Sequence, residues 1–218
     1  MFNLVMKDIK LGVNPMFFVF PFLTGALMLV PGWIYFIVPL YFCWITVPNM
    51  FGGFKTQNDL IFTTIMPVDK KDIVRARVAV IVILELLHIV IAMIYGMITI
   101  RLYPKMIYYF FAPHMGFWGL CFVMLAIFNV IFISMYYKTA YKHGQATTVA
   151  VIVAMLFAGF AQWLGIQNSR VADVFNGSGA HNVALQASIL IIGIVIFIAF
   201  TLLAYRIAYK RFLQVEIQ

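Results

Sequence analysis

Apolar residues fill most of the chain in runs long enough to cross a bilayer, and polar residues gather in a few breaks between them. A spanning helix needs about 20 mostly apolar residues. Runs that meet or approach this length lie at about 16–30, 33–51, 76–100, 113–136, 146–165 and 183–205. The pattern predicts an all-α membrane protein, with six transmembrane helices forming one domain over 1–218. Only Pro31-Gly32-Trp33 separates the first two runs, which predicts a tight helical hairpin. Trp33 and Tyr35 suit an interfacial aromatic belt. Pro21, Pro39 and Pro48 predict kinks in both helices. Backbone groups freed at a kink inside a membrane need partners, so these two helices should pack against protein.

The breaks carry a second pattern. In residues 1–13, Phe2, Val5, Met6 and Ile9 follow helical spacing, while Asn3, Lys7, Asp8 and Lys10 cover the other side. This reads as an amphipathic helix lying in the interface, broken at Asn14-Pro15. A signal peptide fits less well, because Pro21 interrupts the apolar run and no small-x-small cleavage site follows.

The longest polar stretch is 52–77, which contains five basic residues (Lys55, Lys70, Lys71, Arg75, Arg77) and three acidic ones (Asp59, Asp69, Asp72). A short helix is expected from Asn58 to Met66. Asn58 is a good N-cap, and Asp59 in the first turn complements the helix dipole. Pro67 disfavours helix at the residue before it. Ile61, Phe62, Ile65 and Met66 share one face, with Asp59 and Thr63 off it. A second helix is expected to begin at Asp69, with Asp72 three positions later in the manner of a capping box. Such a segment either serves as a handle for a soluble partner or floats at the lipid interface.

Composition agrees with a membrane location. The chain of 218 residues is 65% hydrophobic and 10% charged, with a mean hydropathy of +1.02. Soluble domains average about 45–50% apolar and about 25% charged. The six runs leave no room for a soluble catalytic domain. The net charge of +8 follows from the excess of basic residues in cytoplasmic loops and does not call for nucleic acid. Lys7, Lys10, Lys55, Lys70, Lys71, Arg75, Arg77, Lys138, Lys142, Arg206, Lys210 and Arg211 lie on one side of the expected topology. Only Arg101, Lys105 and Arg170 lie on the other. This asymmetry predicts that both termini and the 52–77 stretch are cytoplasmic. Cys43 and Cys121 fall inside apolar runs and read as small buried hydrophobes.

Three other features bear on chemistry. Glu85 and His88 are three apart on one face of the third run, and ionisable residues inside a membrane are costly. The alternatives are a structural pair with a neighbouring helix, a substrate or cavity contact, and a proton relay. Ala146, Ala150, Ala154 and Ala158 recur every four residues, with Ala161 and Gly165 nearby. Small residues let helix backbones approach closely, either within one subunit or between subunits. No metal site is expected, and His114, His143 and His181 read as solvated surface residues. Asn176-Gly177-Ser178-Gly179 lacks the first glycine of a G-x-S-G nucleophile motif, and no two spans carry matched acids. No G-x-x-x-x-G-K-[ST] occurs, so this chain is not expected to bind ATP or act as an enzyme.

Asn58-Asp59-Leu60-Ile61, followed by Ile65-Met66-Pro67-Val68-Asp69-Lys70-Lys71-Asp72-Ile73-Val74-Arg75-Ala76-Arg77, resembles the motif of small bacterial ABC-2-type transporter permeases, including those that export phenol-soluble modulins and other peptides. The N-terminal Lys7-Asp8 helix followed by Asn14 is also similar to that family. The resemblance implies a coupling segment at 52–75. Asn58, Asp59, Ile61, Phe62, Ile65 and Met66 would form a cytoplasmic coupling helix between spans 2 and 3 that docks on an ATP-binding cassette subunit. It implies a dimer with a second copy or a sister permease, with spans 1 and 5, and so the alanine stripe, near the seam. It also implies that 166–182 partly re-enters the membrane. ATP and Mg would sit on the partner subunit, with no cofactor in this chain.

The expected function is export of a hydrophobic or amphipathic substrate, such as a toxin or bacteriocin peptide, across the bacterial cytoplasmic membrane. The abundance of Phe (22) and Tyr (11) fits such a substrate. The alternatives are a non-transporting membrane partner or immunity protein, and a small ion-coupled carrier using Glu85 and His88.

Overall fold

The computed structural model describes residues 2–139, 142–176 and 182–214. His181 and the Gly177-Ser178-Gly179 part of the loop motif lie outside them. The described residues are all-helical, with no strand among them.

Helix α1 (Phe2–Gly12) ends ahead of Asn14-Pro15, as the sequence predicts. Helix α2 (Met16–Gly25) passes through Pro21 and tightens into a 3₁₀ turn over Ala26–Leu29. Val30 is extended, because Pro31 disfavours helix at the residue before it. The α2 unit therefore rises about 23 Å, short of the roughly 30 Å hydrocarbon core. This departs from the expected six full spans. Among the described residues, five helices are long and apolar enough to cross a membrane, and Met16–Leu29 is a shorter apolar helix beside them.

The hairpin turn is longer than three residues. Gly32 takes a left-handed conformation at φ 73°, and helix resumes at α3 (Ile37–Tyr41). A π-helical turn over Phe42–Thr46 joins α3 to α4 (Val47–Thr56) in one rod. The wide turn has a local cause. Pro48 has no N–H and its ring crowds the carbonyl four residues back, and the π turn opens the ladder just ahead of it. The N–H of Val47 donates to the Phe42 carbonyl, five residues back. The rod continues past Phe51, so the first residues of the polar stretch extend a span and are not a loop.

Helix α5 (Asp59–Ile65) follows. Met66 is extended, and α6 (Lys70–Leu102) then runs unbroken for 33 residues. Helices α7 (Met115–Thr139), α8 (His143–Gln167) and α10 (Val183–Leu213) complete the bundle. Between the last two lies α9 (Ser169–Phe175), started by the Asn168 side chain accepting from the Arg170 N–H at 3.0 Å. It folds back on the bundle. The Phe175 ring stacks on Phe111 at 4.4 Å, and the Ala112 N–H donates to the Phe175 carbonyl at 3.1 Å.

Packing within the bundle is uneven. Helices α7 and α10 cross closely: a Cβ on Gly119 would meet the Ile189–Leu190 backbone, and one on Gly193 would meet the backbone of Gly119. Buried aromatics fill the interior nearer the basic end, where Phe51 packs on Phe132 at 4.8 Å and on Tyr136 at 4.5 Å. That end gathers α1, α5, the start of α6 and the end of α10.

Candidate functional site

Helix α5 is amphipathic in an unusual sense: its polar face points inward. Asp59 and Thr63, one turn apart, are 3% and 1% exposed. Ile61, Phe62 and Ile65 are 37%, 59% and 79% exposed. Met66, extended past the helix end, is half-buried.

Four charges hold the polar face in place. Lys7 Nζ of α1 lies 2.7 Å from Asp59 Oδ1 and 3.3 Å from Asp8 Oδ1, and it also donates to Thr63 Oγ1. Arg77 Nε of α6 lies 2.9 Å from Asp8 Oδ2, and its Nη2 pairs with Asp59 Oδ2. Two cations and two carboxylates thus form a neutral, largely buried cluster joining α1, α5 and α6. The Arg77 guanidinium also lies over the Phe54 ring at 3.3 Å, a cation–π arrangement. A Cβ at Gly12 would overlap the Phe54 ring, so the glycine lets α1 settle on α4.

The two carboxylates differ. Burial raises the Asp59 carboxyl, but Arg77 and Lys7 more than offset it, so it is held below its ordinary range. Burial also raises Asp8, and there the same cations do not overcome it, so Asp8 stays above its ordinary range. Asp59 is therefore the firmer anchor.

Several expectations about this stretch change. Asn58 does not cap α5 with its side chain. It is exposed and left-handed at φ 49°, a conformation that Asn tolerates better than most residues. It closes α4, with its N–H donating to the Lys55 carbonyl at 3.1 Å. Asp59 sits in the first turn of α5, as expected, and is also the centre of the buried cluster. Asp69 precedes α6 without a side-chain cap bond, so the reciprocal capping box is absent, although the helix starts where the sequence places it. Lys7 and Asp8, expected on the polar outer side of α1, turn inward because Arg77 and Asp59 supply opposite charge there. That pairing joins residues 52 to 69 positions apart, and no local pattern signals it.

The model of the ABC-2 family transporter protein family matches residues 3–212. The chain belongs to this family. No curated protein and no solved structure matches it. An ABC-2 family protein of this kind is the multi-pass membrane subunit of a transporter, not itself an ATPase, and it implies an ATP-binding cassette partner.

In this ABC-2 permease Glu85 and His88 are fully buried but do not meet. Glu85 Oε2 accepts from Asn129 Nδ2 of α7 at 2.9 Å, and the same amide lies 3.4 Å from Thr201 Oγ1 of α10. His88 turns the other way, with Nε2 3.0 Å from the Val38 carbonyl and 3.2 Å from Thr24 Oγ1. A carbonyl only accepts, so Nε2 carries the proton. Each residue tethers α6 to a different pair of helices. Asn129, Thr201, Thr24 and Val38 complete these contacts. Their polar members sat in apolar runs, and only their spatial neighbours give them meaning.

The alanine stripe also points inward. Ala146, Ala150, Ala154 and Ala158 are all at most 5% exposed within the single chain. Their small surfaces are taken up by packing inside the protomer. The face of α8 that remains open is the opposite one, with Leu156, Phe160 and Trp163 all more than half exposed.

Proposed function

We propose that this permease exports a hydrophobic or amphipathic substrate, an amphipathic peptide such as a toxin or bacteriocin, across the bacterial cytoplasmic membrane. A separate ATP-binding cassette subunit, carrying ATP and Mg, grips it at α5. Both termini face the cytoplasm, and the working unit pairs this chain with a second copy or a sister permease.

The observation that carries the docking reading is the orientation of α5. An exposed apolar patch of Ile61, Phe62 and Ile65 marks an interaction surface, and the buried cluster behind it makes that patch a fixed platform. A push on the patch passes through Asp59 to Arg77, near the start of α6, and through Lys7 to α1. The helix thus has both a face for a partner and a rigid connection to a spanning helix. The substrate class rests on the aromatic-rich spans.

The test is co-purification in detergent with the ATP-binding subunit encoded beside this chain. Phe62→Asp puts a charge on the exposed patch without touching the cluster. Co-purification with wild type and loss with Phe62→Asp is the expected result. Equal binding to both would move the contact away from α5. No binding to either would overturn the transporter reading in favour of a non-transporting membrane partner. Transport of labelled peptide into inverted vesicles, dependent on that subunit, tests the substrate class.

A further inference from the structure

We propose that the cleft between α6 and α10 is a binding site for an anionic phospholipid, drawn from the leaflet at the basic end of the bundle. The inference rests on the membrane location of the chain and not on the export reading.

The cleft has a volume of 520 Å³. It lies between α6 and α10, in contrast to the glycine-tight crossing of α7 and α10. The two helices run antiparallel. Lys70 Nζ at the start of α6 lies 5.4 Å from the Phe212 ring near the end of α10, and Glu85 reaches Thr201 through Asn129 several turns further in. The lining therefore has a polar end and an apolar end. Lys71 and Arg75 stand at the basic end with Tyr205 opposite, while Val82 and Phe197 lie deeper. Lys71 to Val82 covers about 16 Å along the helix, enough for the upper part of an acyl chain below its headgroup.

Charge selects the headgroup. Lys71 and Arg75 are exposed and one turn apart, and neither joins an ion pair among the described residues. The nearby acids face elsewhere: Asp69 and Asp72 line a separate cleft against α1. A pair of cations with no ion-pair partner among the described residues, above an apolar cleft between two spanning helices, matches a phosphate headgroup with its acyl chain. A lysine or arginine that merely snorkels needs no such cleft.

Native mass spectrometry of the purified chain, titrated with phosphatidylglycerol or phosphatidylcholine, reads the site directly. Wild type should retain phosphatidylglycerol about thirtyfold better, as two surface cations imply. Lys71→Gln with Arg75→Gln should remove the preference. Ala79→Phe, which fills the cleft and keeps both cations, should remove retention of either lipid. Arg101→Gln with Lys105→Gln, at the other end of the bundle, should leave both unchanged. If Ala79→Phe retains phosphatidylglycerol like wild type, the cations act as a surface patch and the site is refuted. It is refuted equally if the Lys71 and Arg75 changes have no effect, or if Val82→Cys crosslinks two copies through the cleft.

Discussion

The cluster around Arg77 and the intramembrane contacts of Glu85 lie on the same helix, about two turns apart, and both bury carboxyl groups. They do so by different means. At Arg77, charge meets charge: two carboxylates and two cations cancel within one corner, and a phenylalanine ring covers the guanidinium. At Glu85 a carboxyl meets the amide of Asn129, which in turn reaches the Thr201 hydroxyl, with no ion-pair partner among the described residues. The first arrangement ties three elements into a platform behind an exposed patch. The second and its neighbour His88 fasten spanning helices together. The contrast teaches that a buried acid in this protein has to be judged by what its neighbours supply, since desolvation is costly at both places and only opposite charge offsets it strongly.

The sharpest way to break the comparison is Arg77→Ala. It strands Asp8 and Asp59 in the interior, and removing one partner of a buried pair typically costs about 3–5 kcal/mol. Thermal unfolding in detergent should drop sharply, and the ATP-binding subunit should be lost with it. A cost below about 1 kcal/mol would mean that water reaches the cluster and the platform is loose.

Within the cluster, Asp59→Asn should destabilise more than Asp8→Asn, because the cations outweigh burial at Asp59 and not at Asp8. Equal losses would show that the two carboxylates share Arg77 evenly. Their pH responses have opposite signs. Asp59, held below its ordinary value of 3.8, stabilises the fold above that pH, and its contribution fades as pH falls through the lower folded value. Asp8, raised above 3.8, favours the fold when protonated, and that contribution is lost as pH rises through the higher folded value. As pH falls from the raised folded value toward about 4, wild type should therefore gain stability from protonating Asp8, and the melting temperature of Asp8→Asn should lack that gain.

Smaller effects are expected elsewhere. Glu85→Gln keeps an oxygen to accept from Asn129 and removes only the ionisable group, so stability should change by about 1 kcal/mol or less. Loss of transport with that variant, while the ATPase subunit still binds and turns over, would instead place Glu85 in the substrate path. Phe62→Asp should leave the melting temperature almost unchanged, within about 0.5 kcal/mol, because its side chain stands in the open on α5. A large drop there would show that the patch is packed against the bundle or the lipid and is not free for a partner.

Much of the fold was legible along the chain. Apolar run length pointed to a membrane protein built of spanning helices, since a bilayer accepts little else. Pro67 and Pro31 marked where helices stop, because proline restricts the residue before it. The start of α6 followed the change from polar to apolar. The motif from Asn58 to Arg77 indicated the family. The first run matches its helix to within one residue, but it falls short of a full crossing because Pro31 stops helix at the residue before it.

Tertiary structure alone decided which way each helix faces. The same alternation that put Asp59 and Thr63 on one side of α5 fits a polar face in water equally well. Only the approach of Lys7 and Arg77 from distant positions turned that face inward and left Phe62 outside. His88 and Glu85 sit three residues apart in sequence, yet neighbours on different helices draw them to different partners. The alanines of α8 suit any close helix contact, and the bundle claimed them. A linear pattern specifies a helix and its two faces, but it does not say what will stand opposite each face. That depends on which charges and surfaces the folded chain brings together, and on the large cost of leaving a buried charge without a partner.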